Sequence, residues 1–132
     1  MGDVGSGSLG LLLFIWIAML WHVHPHAIWP SLILCSAFVT DASLTLLHRI
    51  SRGRLWYSAH REHLYQWMVR TNYSHAAVVM CYLAWNTLVV LPLAVISLFF
   101  ASLALPCCLL TYLVATVIWL VMKRRLLRCG QP

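Results

Sequence analysis

Three places in the sequence carry side chains able to do chemistry. The first is Asp41, set in an otherwise apolar run. A carboxylate at the centre of a membrane helix costs about 2.5–3.5 kcal/mol on insertion scales, so such a residue faces protein or a water-filled cavity. Asp41, Thr45 and His48 fall at i, i+4 and i+7 on one helical face, and Arg52 continues that stripe if the helix extends. Two readings follow: the wall of a polar cavity opening to the cytoplasm, or a buried structural carboxylate paired with an arginine or a backbone end.

The second place is the segment 49–74, too long for a simple hairpin turn. His60, Arg61 and His63 form a tight basic cluster there. After it, Leu64, Trp67 and Met68 share one helical face, while His63, Gln66 and Arg70 share another. That pattern predicts a short amphipathic helix lying at a membrane interface. Guanidinium grips phosphate through a planar fork, and imidazole can donate to phosphate or carry a proton near neutral pH. The segment reads as a diphosphate site, or as a basic loop held against anionic lipid. The third place is the opening MGDVGSGSLG, where Asp3 sits among glycines and serines ahead of an apolar run. Glycine lets the backbone approach a ligand closely, and a carboxylate supplies hard oxygen for Mg²⁺ alongside substrate phosphates. A Gly/Ser-rich end is also what a simple loose terminus looks like.

The elements that must position these groups follow from composition. Of 132 residues, 62% are hydrophobic and 9% charged, against about 45–50% and 25% in an average soluble domain. A chain this short cannot hide so much apolar surface, which excludes a soluble monomer. The Trp-rich, Leu/Val-rich composition excludes disorder. An all-α polytopic membrane bundle remains. Four runs approach the roughly 20 apolar residues that a spanning helix needs: about 8–23, 27–48, 75–99 and 101–122. Pro25 and Pro30 punctuate the first turn. Pro92 is read as a kink inside the third span rather than its end, and the link from Ala101 to Pro106 is the least defined boundary.

The formal charge is +6, from nine Lys and Arg against three Asp and Glu. On a soluble protein this would suggest nucleic acid. Here Arg49, Arg52, Arg54, Arg61 and Arg70 lie between spans two and three, while Lys123, Arg124, Arg125 and Arg128 follow span four. The positive-inside rule makes both regions cytoplasmic, which puts the residues before span one on that side too. The first span lacks a basic leader and carries Asp3, so it is not read as a cleaved signal peptide. The five cysteines show no C-x-x-C spacing and read as reduced packing residues. His22, His24 and His26 alternate, but Pro25 interrupts them and no Cys or carboxylate joins them. Asn86, in span three, is expected to bond across helices.

Together these fragments resemble one family, the polyprenyl-phosphate N-acetylhexosamine-1-phosphate transferases. These include phospho-MurNAc-pentapeptide translocase and undecaprenyl-phosphate GlcNAc-1-phosphate transferase. Met1, Gly2, Asp3, Gly5, Ser6, Leu9 and Gly10 fit the family's M-G-D-x-G-S-x-x-L-G loop. The segment D-A-S-L-T-L-L-H-R, then Gly53, then A-H-R-E-H-L-Y-Q is similar to a later cytoplasmic loop, often A-D-R-x-H-x-H-H. Arg61 and His63 fit it directly. His60 stands where that motif has Asp, and Tyr65 and Gln66 replace its last two His, as in the O-antigen and surface-polysaccharide branch.

The resemblance implies transfer of a sugar-1-phosphate from a UDP-N-acetylhexosamine to undecaprenyl phosphate, with Mg²⁺, at the bacterial cytoplasmic membrane. It implies Asp3 as metal ligand. Arg61 and His63 would be catalytic or diphosphate-binding, with His60, Asp41 and Arg49 also on the substrate side. The family's acidic pair and Asn-rich loop are not in this sequence, and it opens inside the Asp3 motif. The chain is therefore expected to be the C-terminal part of a longer transferase, inactive alone, with the N-terminal part or a second copy as partner. The contrasting expectation is a small four-span protein in transport or assembly that uses Asp41.

Overall fold

The computed structural model describes residues 3–53 and 63–129. Among these the chain is all-helical with no strands. Seven α-helices follow in order: α1 (Asp3–Val23), α2 (Ile28–Leu34), α3 (Ser36–Ser51), α4 (Leu64–Arg70), α5 (His75–Trp85), α6 (Leu91–Phe99) and α7 (Ala101–Cys129). A 3₁₀ turn at Pro25–Ala27 leads into α2. A π-helical turn at Asn86–Val90 joins α5 to α6.

By length and apolarity, His75–Phe99 and Ala101–Leu127 can each cross a membrane. A third crossing exists if Pro25–Leu34 and Ser36–Ser51 count as one span. The apolar part of α1, Gly10–Val23, is shorter. Its 14 residues reach about 21 Å at 1.5 Å per residue, less than the roughly 30 Å hydrocarbon core. Four full spans are therefore not what the helices alone establish.

The run 27–48, expected as one span, is bent by 66° between Pro25–Leu34 and Ser36–Ser51. At Cys35 ψ turns to −2°, far from the helical value near −42°. Just before the bend, the Ser31 hydroxyl donates back to the Ala27 carbonyl at 2.8 Å, a bond that favours helix bending. Tyr112 of α7 donates its hydroxyl to the Leu32 carbonyl at 3.0 Å and ties the bend to α7.

The third apolar run is continuous through Pro92, within the bounds read from the sequence. Proline clashes with the carbonyl four residues back. The chain answers with the wider π turn immediately before it, in which the Leu91 N–H reaches the Asn86 carbonyl. Asn86 does not bond across helices as expected: its amide donates to the Tyr82 carbonyl of its own helix at 2.8 Å. The uncertain link resolves to a turn at Phe100, with φ −123° and ψ 89°. Pro106 lies inside α7, which runs on past the expected end at Met122 and carries Lys123, Arg124 and Arg125 on the same helix.

Helix α7 is the central element, packing against α2, α3, α4 and α6. One buried cluster joins Ile33, Val90, Ala94, Cys107 and Cys108. A second joins Leu64, Met68, Val78, Trp119 and Leu126. Helix α1 touches chiefly the 3₁₀ turn and α2, and its side chains from Gly10 to Val23 are exposed save the half-buried Ile17.

Helix α3 is polar inside and apolar outside. Its buried residues are Ser36, Thr40, Asp41, Thr45 and Arg49, while Phe38, Leu46, Leu47 and Ile50 are exposed. Water would favour the reverse arrangement. A hydrocarbon surround removes that drive and sends polar groups to the helix interfaces.

The amphipathic helix read from His63 onward is present as α4, with Leu64 and Met68 buried. Both its ends are closed. At its C-terminus the Tyr73 N–H reaches the Met68 carbonyl at 3.1 Å and the Asn72 N–H reaches Val69 at 3.2 Å, a Schellman motif. Asn72 takes φ +67° to close it, and Ser74 then caps α5 by accepting from the Ala77 N–H at 3.1 Å. Asn72→Ala should destabilise the protein by about 1 kcal/mol, because alanine lacks the short polar side chain that eases asparagine into the left-handed region, whereas Asn72→Gly should not. Unfolding in detergent by heat or SDS measures both; equal behaviour would remove this turn as a constraint.

Candidate functional site

The site begins with one buried side chain. Asp41, in the N-terminal half of α3, is 8% exposed. Its Oδ1 accepts from the Trp119 indole N–H at 2.8 Å, from the Leu64 backbone N–H at 3.0 Å and from the Thr45 hydroxyl at 3.4 Å. Its Oδ2 lies 3.2 Å from His63 Nδ1. Leu64 opens α4 and Trp119 belongs to α7, so one carboxylate joins three helices. The Leu64 N–H is one of the first-turn donors that a helix cannot satisfy itself, and Asp41 meets it from 23 residues away in sequence.

His63 precedes α4 with extended backbone, φ −64° and ψ 151°. Gln66 reaches back, and its side-chain oxygen accepts from the His63 N–H at 3.2 Å. The Gln66 amide also donates to the Tyr65 hydroxyl at 3.1 Å, and the Tyr65 ring lies nearly parallel to the imidazole, centroids 6.1 Å apart. The imidazole is thus held through Nδ1 on Asp41 and through its own backbone on Gln66. An ionised partner makes such hydrogen bonds stronger than neutral ones.

Beside Asp41 runs a groove of about 370 Å³ between α3, α4, the α5–π segment and α7. Met68, Tyr82, Trp85, Leu88 and Ile118 are among its lining residues. Its wall is mainly apolar, with Asp41 and Thr40 at one side. Several lining residues, among them Cys81, Leu88 and Ile118, are exposed on the outer surface. The groove is therefore open to the side rather than sealed.

The expected site residues fall out unevenly. Asp41 and His63 are brought together. Arg49 lies on the buried stripe Asp41–Thr45–Arg49, at the last turn of α3, about 12 Å along the helix from Asp41. That stripe replaces the expected Asp41–Thr45–His48–Arg52 line: α3 stops at Ser51, His48 is half-buried, and Arg52 is an exposed cap residue. His60 and Arg61 lie outside the described residues. Asp3 is the first residue of α1, but its side chain also lies outside the described set.

Sequence reasoning missed Trp119 and Lys123. They sit four residues apart at the end of the apolar run of α7, and the Lys123 ammonium lies 5.5 Å from the Trp119 ring centroid and 5.0 Å from that of Trp67. A Trp one turn before the first cation of a span end is the signal that could have found them.

Among the described residues no three His, Cys, Asp or Glu side chains converge as a metal site, and that includes His22, His24 and His26. Asp41 is surrounded by hydrogen-bond donors rather than by further ligand oxygens. Asp3, the residue expected to hold Mg²⁺, has its side chain outside the described residues. Compared with protein-family models, with curated proteins and with solved structures, the chain gives no significant match.

Removing the Asp41 carboxylate leaves the Trp119 and Leu64 N–H groups buried without an acceptor, at about 1–3 kcal/mol each. Asp41→Ala should therefore be strongly destabilising, and Asp41→Asn, which keeps one acceptor oxygen, distinctly less so. Unfolding in detergent, followed by tryptophan fluorescence, gives the ranking. Equal stability of Asp41→Ala and the parent would show that the carboxylate holds nothing together.

Proposed function

We propose that this chain is the membrane-embedded, lipid-side part of a transferase that moves a sugar-1-phosphate of the N-acetylhexosamine type from a UDP-sugar to undecaprenyl phosphate. The observation that carries the reading is the Asp41–His63 contact at 3.2 Å. It joins the D-A-S-L-T-L-L-H-R segment to the A-H-R-E-H-L-Y-Q segment, the two stretches on which half of the resemblance rests. With α3 and α4 locked at Asp41, the stretch between Gly53 and His63 starts and ends at fixed points, and that stretch carries His60 and Arg61. The mainly apolar groove beside Asp41 is of a size and kind that accepts a hydrocarbon chain.

In the proposed reaction a phosphate oxygen of undecaprenyl phosphate attacks the sugar-proximal phosphorus of the UDP-sugar. The bond to the UMP phosphate oxygen breaks, UMP leaves, and a lipid diphospho-sugar remains. Negative charge rests on diphosphate oxygens throughout, so fixed cationic donors are the natural source of stabilisation. Arg61 supplies a guanidinium fork for those oxygens, and His60 and Arg49 add cationic or donor groups nearby. In its imidazolium form His63, with Nδ1–H on Asp41, has Nε2–H left to donate to the diphosphate. Asp41 acts through His63 and α4 rather than on substrate. Asp3 is the proposed Mg²⁺ ligand, by resemblance alone.

The proposal also carries the finer topology. Four crossings are formed by 8–23, 27–48, 75–99 and 101–122, with the 49–74 segment and both ends in the cytoplasm of a bacterial cell. The positive charges in 49–74 and after Met122 support it.

The test is transfer of radiolabelled sugar phosphate from a UDP-N-acetylhexosamine to undecaprenyl phosphate with Mg²⁺. It is run on the protein encoded by the whole open frame that contains these residues. Arg61→Ala should lower turnover about 100-fold, the usual cost of a lost transition-state donor, and Asp3→Asn should abolish it. The 132-residue chain alone should make no lipid product, since its acidic side chains are only Asp3, Asp41 and Glu62. Undiminished turnover of either variant would remove that residue from the site, and rapid product from the 132-residue chain would overturn the expectation of inactivity.

A further inference from the structure

The groove of about 370 Å³ beside α3 carries one carboxylate, that of Asp41, on a mainly apolar wall. Asp41 is a lining residue, and its side chain keeps 12% of its surface accessible. Its two oxygens are unequal. Oδ1 takes the Trp119, Leu64 and Thr45 donors, while Oδ2 has His63 Nδ1 at 3.2 Å. In its neutral form that imidazole gives one N–H to the carboxylate and leaves the negative charge in place. Tyr82, Trp85 and Trp119 add aromatic rings to the lining. The exposed Cys81, Leu88 and Ile118 mark a mouth that opens sideways.

Charge and lining decide the occupant. The carboxylate repels an anion. A plain hydrocarbon chain fills the apolar part, but it leaves the accessible edge of the carboxylate facing hydrocarbon, where an unsolvated charge is costly. A hard metal ion asks for about six oxygen ligands, which a mainly apolar wall does not supply. An organic ammonium meets every condition at once. Its apolar body matches the wall, its charge pairs with Asp41, and aromatic rings are favourable neighbours for an organic cation. The volume lies in the range of small-molecule sites, and a sideways mouth admits a molecule already dissolved in the bilayer.

We propose that the groove binds a lipophilic organic cation, an ammonium on an aromatic or alkyl body, with its charge at Asp41 and its body against Tyr82, Trp85 and Leu88. The inference does not rest on the transferase reading, whose lipid tail would compete for the same groove.

The test measures binding of tritiated 4-phenylbutyltrimethylammonium to the full chain in dodecyl maltoside by scintillation proximity. Competitors are the unlabelled cation and its neutral isostere, in which carbon replaces the nitrogen. Binding should saturate, and the cation should displace the label at about tenfold lower concentration than the isostere, the effect of one close charge pair. Asp41→Asn, which keeps an acceptor for the Trp119 and Leu64 donors, should weaken binding by a similar factor. Ala84 lines the groove from its exposed side, so Ala84→Phe folds even if Asp41→Asn does not, and it should abolish binding by filling the space. Ala76→Phe, at an exposed position on the same helix outside the groove, should leave binding as it was. Equal displacement by the neutral isostere would overturn the proposal, since the carboxylate would then play no part. Unchanged binding in Ala84→Phe would place the cation elsewhere, and binding that never saturates would be partition into the micelle; either result overturns the proposal as well.

Discussion

A carboxylate buried in an apolar surround has to find donors, and Asp41 finds them on two other helices. Trp119 brings α7, and the Leu64 N–H and His63 bring α4. None of these contacts is strong alone in water. In hydrocarbon the alternative is an unsolvated charge, so the three helices are joined by what it would cost to separate them. The rest of the site depends on this junction. It fixes where α4 starts, hence the register of its amphipathic face, hence which side of Trp67 meets α7. The junction also fixes both anchor points of the basic segment that follows Gly53.

The polar face of α3 shows the same constraint on a larger scale. Ser36, Thr40, Asp41, Thr45 and Arg49 point inward, and small residues such as Ala94, Ser97, Ala104, Thr111 and Ala115 are buried on α6 and α7. Between helices in lipid, association rests on close packing and hydrogen bonds rather than on hiding apolar surface. Several inward hydroxyls bond their own helix, as Thr111 does to the Cys107 carbonyl at 2.7 Å and Ser97 to the Ala94 carbonyl at 2.7 Å. Asp41 and Tyr112, by contrast, link elements distant in sequence.

Much of this was legible in the residues. Composition points to apolar helices long enough to cross a membrane, the run 75–99 is continuous helix as its apolarity suggests, and the spacing of Leu64, Trp67 and Met68 marks α4. Asp41 stands out because an acid in an apolar run needs a reason. The reason itself was not legible. Periodicity speaks of residues within about two turns of each other, while Trp119 lies 78 residues from Asp41 and looks like any apolar residue until its N–H finds an acceptor. The bend at Cys35 has no proline or glycine at the break to announce it. The π turn is announced by Pro92, but proline in a helix permits a kink, a break or a widened turn. The charges on α7 were read as following the span, because hydropathy ends at Met122 while the backbone helix does not.

The distance between Asp41 and Trp119 along the chain also sets an order of events. A ribosome adding roughly 5–20 residues per second delivers Trp119 between about 4 and 16 seconds after Asp41. Throughout that interval the acid on α3 has, beyond its own helix, only the His63 and Leu64 donors of α4 within its reach. The bond that joins α3 to α7 therefore closes only after α7 is made.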